Sequence, residues 1–125
     1  MKYVIFILAG IFSLVFSINA CASDDQHTTP DGLYSLVTEQ ESEYILVDVR
    51  TPGEYKTGHI PSAVNISFDV IADNLPSEDT EARIIVYCRS GRRSGIAAET
   101  LSGLGFSNVV DFGSINRWPG ELETE

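Results

Sequence analysis

The chain has 125 residues, with 8 Lys and Arg against 18 Asp and Glu, a net charge of −10, and two Cys. That length allows one domain, and 43% hydrophobic residues suffice for a core, which excludes a disordered chain. The acidity excludes a protein that holds nucleic acid or anionic lipid by neutralising charge, and two Cys build neither a disulfide scaffold nor a four-thiolate zinc site.

Lys2 is followed by an uncharged run from Tyr3 to Ser23. Its centre, Val4 to Phe16, has the form of a signal-peptide hydrophobic region behind a short positive start. Ala20-Cys21-Ala22 is a small-x-small cleavage site, with cutting before Ser23. Ile18-Asn19-Ala20-Cys21 also resembles a lipoprotein box that would lipidate Cys21, although Asn19 is unusual there. An uncleaved anchor is the third reading, because about 20 apolar residues span a bilayer. Simple cleavage is preferred, and all three readings place the domain outside the cytosol, periplasmic or secreted. Membrane attachment is expected only if Cys21 is lipidated or the segment is retained. Cleavage or lipidation leaves Cys88 as the only free thiol, so no internal disulfide is expected.

Residues 23–29 read as a polar tether, 30–120 as the folded domain and 121–125 as an acidic, solvated tail. Thr29-Pro30 starts a helix in which Leu33, Leu36 and Val37 share a face. Tyr44 to Val47 is a short apolar run suited to a buried parallel strand. Thr51-Pro52-Gly53-Glu54 is a capping box with Pro at the first helical position. Ala63 to Ile66 is a second strand, and Ser67 is expected to cap a brief helix carrying Phe68, Val70 and Ile71. Ile84 to Tyr87 is the most β-prone strand. Ser94 to Leu104 reads as a helix ended by Gly103 or Gly105. Val109-Val110 is a minimal strand, and Trp118-Pro119 lies in a last turn or short helix. Strands separated by crossovers imply an α/β domain with a mainly parallel sheet.

Chemistry concentrates in Cys88-Arg89-Ser90-Gly91-Arg92-Arg93-Ser94, after the strongest strand and before a helix. Ligand sites in parallel sheets lie at such carboxyl ends. Three of the chain's eight basic residues fall within five positions here. The pattern predicts an anion site with a thiol at its centre. Backbone N–H groups of the loop and helix start, together with Arg89, Arg92 and Arg93, favour thiolate over thiol and make Cys88 a nucleophile. Gly91 permits the sharp turn. The alternative, a packed and inert core thiol beside a solvated basic face, suits the polar context less well. Cysteine phosphatases place Arg six positions after Cys. Here the sixth residue is Ser94, and Tyr87 precedes the Cys instead of His. The loop is one residue short, a cradle for one sulfur atom rather than a phosphate.

This loop resembles the active-site loop of rhodanese-family sulfurtransferases. Leu46-Val47-Asp48-Val49-Arg50 with Glu54-Tyr55, then Gly58-His59-Ile60-Pro61 with Ala63 and Asn65, resemble that family's first signature, and Gly113, Ile115 and Trp118 its C-terminal one. The resemblance spans Tyr44 to Trp118 and is to single-domain, exported bacterial members. It implies a rhodanese-like α/β fold, a mainly parallel five-stranded sheet with helices on both faces. It implies that Cys88 takes the outer sulfur of a small anionic donor such as thiosulfate, forming a persulfide, and passes it to cyanide or a thiol. A protein sulfur acceptor is left open. By the same pattern, N–H groups from Arg89 through Ser90, Gly91 and Arg92 to Arg93 cradle the persulfide. Arg89 and Arg92 attract the donor, Arg93 braces the loop, and neither cofactor nor metal is needed.

Asp48 and Arg50 read as a structural ion pair near the loop, supporting the site together with Ser94. His59 reads as a turn residue rather than a general base, because a preformed thiolate needs none. His27, in the tether, carries no signal, and Trp118 reads as packing. Ser114 stands where the family usually has a second Gly, and the chain ends seven residues after Trp118, which together bear on pocket shape. A persulfide carrier or docking module with little turnover is the competing reading. A phosphatase or arsenate reductase is disfavoured by the short loop.

Overall fold

The computed structural model describes residues 28–40 and 42–125. The leader-like segment 1–22, Cys21, His27 and most of the tether lie outside the described residues. In chain order the elements are α1 (Pro30–Glu39), β1 (Ile45–Asp48), α2 (Pro52–Thr57), β2 (Val64–Asn65), β3 (Ile84–Cys88), α3 (Arg92–Gly103), β4 (Val109–Ser114) and a 3-10 turn (Ile115–Arg117). The strands form one parallel sheet in the order β2-β1-β3-β4. Among the described residues the sheet thus has four strands, not the five that the resemblance implied.

Local chemistry sets most boundaries. Thr29 caps α1 by accepting from the Gly32 N–H at 3.0 Å, with Pro30 at the first turn. Thr51 and Glu54 form the reciprocal capping box of α2. Helix α3 starts at Arg92, two residues earlier than the sequence pattern suggests, because Gly91 takes φ +98° and turns the chain into it. The brief helix expected after Ser67 is absent. That segment is a series of turns, with Val70 N–H donating to Ser67 O and Asp73 N–H to Val70 O. The Ser67 hydroxyl is drawn away from capping and donates to the Arg50 carbonyl at 2.9 Å. β4 runs four residues beyond the minimal Val109-Val110.

Period-2 alternation splits the core between the two faces of the sheet. Leu46, Ile85, Tyr87, Val110 and Phe112 pack with Leu33, Leu36 and Val37 of α1 and with Trp118. Val47, Ile84, Val86 and Cys88 pack on the other side with Ala97 and Leu101 of α3. Helices thus cover both faces. All five residues of β3 are buried, so the nucleophile candidate ends a fully buried strand between β1 and β4.

A bulge shapes the far edge. Val86 faces Asp111, but Tyr87 faces Gly113 and Cys88 faces Ser114, so one residue of β4 is passed over. Asp111 Oδ1 accepts from the Gly113 N–H at 2.9 Å, and Gly113 adopts φ +89°. The bulge moves Ser114 rather than Gly113 opposite Cys88.

The acidic tail is not frayed. Glu123 and His59 exchange backbone hydrogen bonds at 2.9 Å each way, an isolated antiparallel bridge. Glu125 N–H donates to Lys56 O, and Trp118 Nε1 donates to Glu121 O at 3.1 Å. Backbone pairing, to which side-chain polarity gives no clue, holds this end against the domain.

Candidate active site

Cys88 ends β3 with its side chain fully buried, immediately before the loop that starts α3. Its Sγ accepts from the Gly91 N–H at 3.0 Å and lies 3.5 Å from Ser94 Oγ. Ser94 Oγ also donates to the Gly91 carbonyl at 3.1 Å. The serine hydroxyl therefore accepts from the thiol or, by turning, donates to the thiolate. Burial is the largest single influence on the thiol and pushes its pKa up. Hydrogen bonds from the Ser94 side chain and from the N–H groups of Ser94, Gly91 and Ser90 outweigh it, and the net shift is downward from 9.0. The first turn of a twelve-residue helix adds its own positive potential.

The arginines divide their labour. Arg89 and Arg92 are exposed at the loop. Arg93 instead forms a two-point ion pair with Glu54 of α2, at 2.7 Å and 3.0 Å. This ties the loop to the first helix after β1. The Arg93 guanidinium holds the Glu54 carboxyl down from 4.5 to about 2, helped by the Thr51 hydroxyl. Sequence reasoning credited the three arginines and the backbone alike with lowering the thiol pKa. The structure assigns the main downward influences to hydrogen-bond donors at Ser94, Gly91 and Ser90. Ser90 is exposed, and Gly91 approaches the backbone of Gly113, whose Cα would lie 3.8 Å from an added Cβ.

Asp48 and Arg50 are both buried and paired. Arg50 Nη2 lies 2.6 Å from Asp48 Oδ2 and donates to the Gly58 carbonyl at 2.6 Å. The Arg50 backbone N–H also reaches Asp48 Oδ1 at 2.9 Å. Asp48 is in register with Tyr87, the residue before Cys88. The pair fixes the end of β1 against β3, and its side-chain hydrogen bonds run between its two members and to the Gly58 carbonyl. Removing one partner would strand a buried charge, a loss on the order of 3–5 kcal/mol. His59 is buried too. Its Nδ1 lies 2.9 Å from the Tyr55 carbonyl, and its ring stacks on Tyr55 at 3.8 Å between centroids. Those contacts make it a clamp for the turn and the tail.

Two connections escaped the sequence. Nothing in the local pattern of Glu54 distinguishes a capping residue from one that also holds Arg93, 39 positions away. Ser114, noted only as a departure, donates its hydroxyl to the Arg89 carbonyl at 2.6 Å. Among the described residues, no group of three or more His, Cys, Asp or Glu is placed to hold a metal ion.

Residues 29–121 match the rhodanese-like domain family. The chain belongs to that family. This rhodanese-like chain is 31% identical over 110 residues to the thiosulfate:glutathione sulfurtransferase of Saccharomyces cerevisiae, covering 77% of itself and 79% of that protein. It is 31% identical over 111 residues to the adenylyltransferase and sulfurtransferase UBA4 of Candida albicans; the match covers 82% of the chain but only 25% of that longer protein. The crystal structure of a rhodanese-like domain protein from Staphylococcus aureus superposes with a TM-score of 0.67 at 34% identity, covering 78% of this chain and 95% of that one. The chain is thereby a rhodanese-type enzyme, with sulfur transfer as its general activity.

Two outcomes follow from this geometry. The rate of Cys88 alkylation by iodoacetamide, followed against pH, should rise with a midpoint below 9.0. Ser94→Ala should move that midpoint upward and slow alkylation at neutral pH by about three- to tenfold, as loss of one long hydrogen bond of about 1 kcal/mol implies. An unshifted Ser94→Ala profile would remove the hydroxyl from the account. The Glu54–Arg93 pair, with its carboxyl pKa depressed, adds stability that is full above pH 4.5 and is lost as pH falls towards about 2. Solvent screening keeps it near the surface range, about 1 kcal/mol. Glu54→Gln should flatten the fall in urea midpoint over that window.

Proposed function

We propose that the chain is an exported thiosulfate sulfurtransferase that carries sulfur as a persulfide on Cys88. The observation that supports this most is the set of hydrogen-bond partners around a buried sulfur, Gly91 N–H at 3.0 Å and Ser94 Oγ at 3.5 Å, beside the exposed Arg89 and Arg92. Such a cradle favours a sulfur anion over a neutral thiol, and it is dry enough to strengthen each of those bonds. The yeast relative is a thiosulfate:glutathione sulfurtransferase, whose donor is a small sulfur anion and whose acceptor is a thiol.

In the proposed first half-reaction, the Cys88 thiolate attacks the outer sulfur of thiosulfate. A Cys88 S–S bond forms as the bond to the sulfonate sulfur breaks, and sulfite leaves with that electron pair. The persulfide carries its charge on the terminal sulfur, within reach of the loop N–H groups. In the second, cyanide carbon or a thiolate attacks that terminal sulfur, and the Cys88 thiolate is released. Arg89 and Arg92 raise the local concentration of the anionic donor. Arg93, bound to Glu54, braces the loop. Placement outside the cytosol is supported by the apolar run between Lys2 and Ser23 with the small residues around Cys21.

Purified residues 23–125 should convert thiosulfate and cyanide to thiocyanate, and Cys88→Ser should lose about a thousandfold or more of that activity. Mass spectrometry after thiosulfate alone should show one added sulfur on the wild type and none on the variant. A persulfide without thiocyanate would favour the carrier reading, and equal activity in both proteins would end the proposal. Export is checked separately, by the mass of the mature N-terminus in fractionated cells. A first residue of Ser23 is expected, a lipidated Cys21 would make the chain membrane-attached, and an unprocessed cytosolic chain would refute export.

A further inference from the structure

We propose that Ser114, at the end of β4, is a positioning residue that sets the sulfur cradle of Cys88 from outside the loop by holding the Arg89–Ser90 peptide plane. The argument begins with the bulge in β4. Because one residue of β4 is passed over, Cys88 lies in register with Ser114 instead of Gly113. Ser114 Oγ donates to the Arg89 carbonyl at 2.6 Å and accepts from the Asn116 N–H at 3.1 Å. Both capacities of the hydroxyl are therefore engaged, and the direction of its proton is fixed towards Arg89.

The Arg89 carbonyl and the Ser90 N–H belong to one planar trans amide, so they point in opposite directions. Holding the carbonyl outward against Ser114 turns the N–H inward. Ser90 N–H is one of the groups that favour the charged form of Cys88. A bond to the carbonyl also polarises the amide and strengthens its N–H as a donor. Ser114 thus acts on the sulfur through a peptide that it does not share. Gly113 supports the arrangement, because its φ of +89° lets the strand end pass close to Gly91. Glu54 braces the loop through Arg93 on the other side, so the cradle is held from two separate elements. A glycine at position 114 would leave the Arg89 carbonyl to solvent.

This inference rests on Cys88 as the reactive thiolate but not on the sulfur donor, so it is tested without turnover. Iodoacetamide alkylation of Cys88 is followed against pH in the full domain for wild type, Ser114→Ala, Ser114→Gly and Ser114→Thr. The Ala and Gly variants should have an upward-shifted midpoint and react about two- to fivefold more slowly at neutral pH, less than for loss of a direct bond. The Thr variant keeps the hydroxyl and should follow the wild type. In amide spectra, exchange of the Ser90 N–H should quicken in the Ala and Gly variants while that of Val86 does not. That readout keeps the test decisive if one variant is less stable. Coincident alkylation profiles for wild type, Ala and Gly, or an unchanged Ser90 amide, would overturn the proposal, as would a Thr variant as impaired as Ala. Absence of thiocyanate production with the profile shift intact would count against the proposed reaction and leave the role of Ser114 standing.

Discussion

The contest at Cys88 between burial and hydrogen bonding governs the rest of the structure. A sulfur removed from water loses the solvation that would stabilise its charge, and that loss raises its pKa. The N–H groups of Ser90, Gly91 and Ser94 and the Ser94 hydroxyl replace the lost water and reverse the sign of the shift. Several donors can converge on one atom only if the chain turns sharply between β3 and α3. Gly91 at φ +98° provides that turn. Reactivity in this sense depends on the Ser94 hydroxyl together with the backbone of the turn, which the more distant side chains keep in place.

The supports come from elements distant in sequence. Glu54 caps α2 with Thr51 and also takes both guanidinium nitrogens of Arg93. Asp48 and Arg50 lock the end of β1 beside Tyr87. The bulge of β4 brings Ser114 to the Arg89 carbonyl. The loop is thereby held from α2 and from β4, while the Asp48–Arg50 pair holds the end of the neighbouring strand. Such bracing keeps the donors aimed before any substrate arrives, which is what stabilising a charge without reorganisation requires.

Sequence conveyed the elements whose causes are local. The capping box at Thr51, the Pro30 start and the apolar run ending at Cys88 each carry a short-range physical signature. The Cys88 loop was legible because three arginines in an acidic chain conflict with a merely solvated face. Features set by tertiary contact were not legible. Ser67 has the composition of a helix cap, yet its hydroxyl serves the Arg50 carbonyl, and turns result. The acidic tail reads as solvated because its side chains are, but its backbone pairs with His59. Ser114 was visible only as a mismatch to the family pattern, because a bulge that changes register leaves no periodic trace across so short a strand.

Charge distribution bears on which donors the proposed reaction would draw to the cradle. The chain carries −10 overall, and Arg93 is neutralised by Glu54. This leaves Arg89 and Arg92 as the exposed cations of the loop. At physiological ionic strength their field reaches about 8 Å before it is screened. A compact anion can place all its charge within that range. An extended polyanion cannot, and the remainder meets a net negative body. For the proposed reaction, this local charge favours a compact anion such as thiosulfate over a phosphorylated chain, in agreement with a loop one residue shorter than a phosphate cradle.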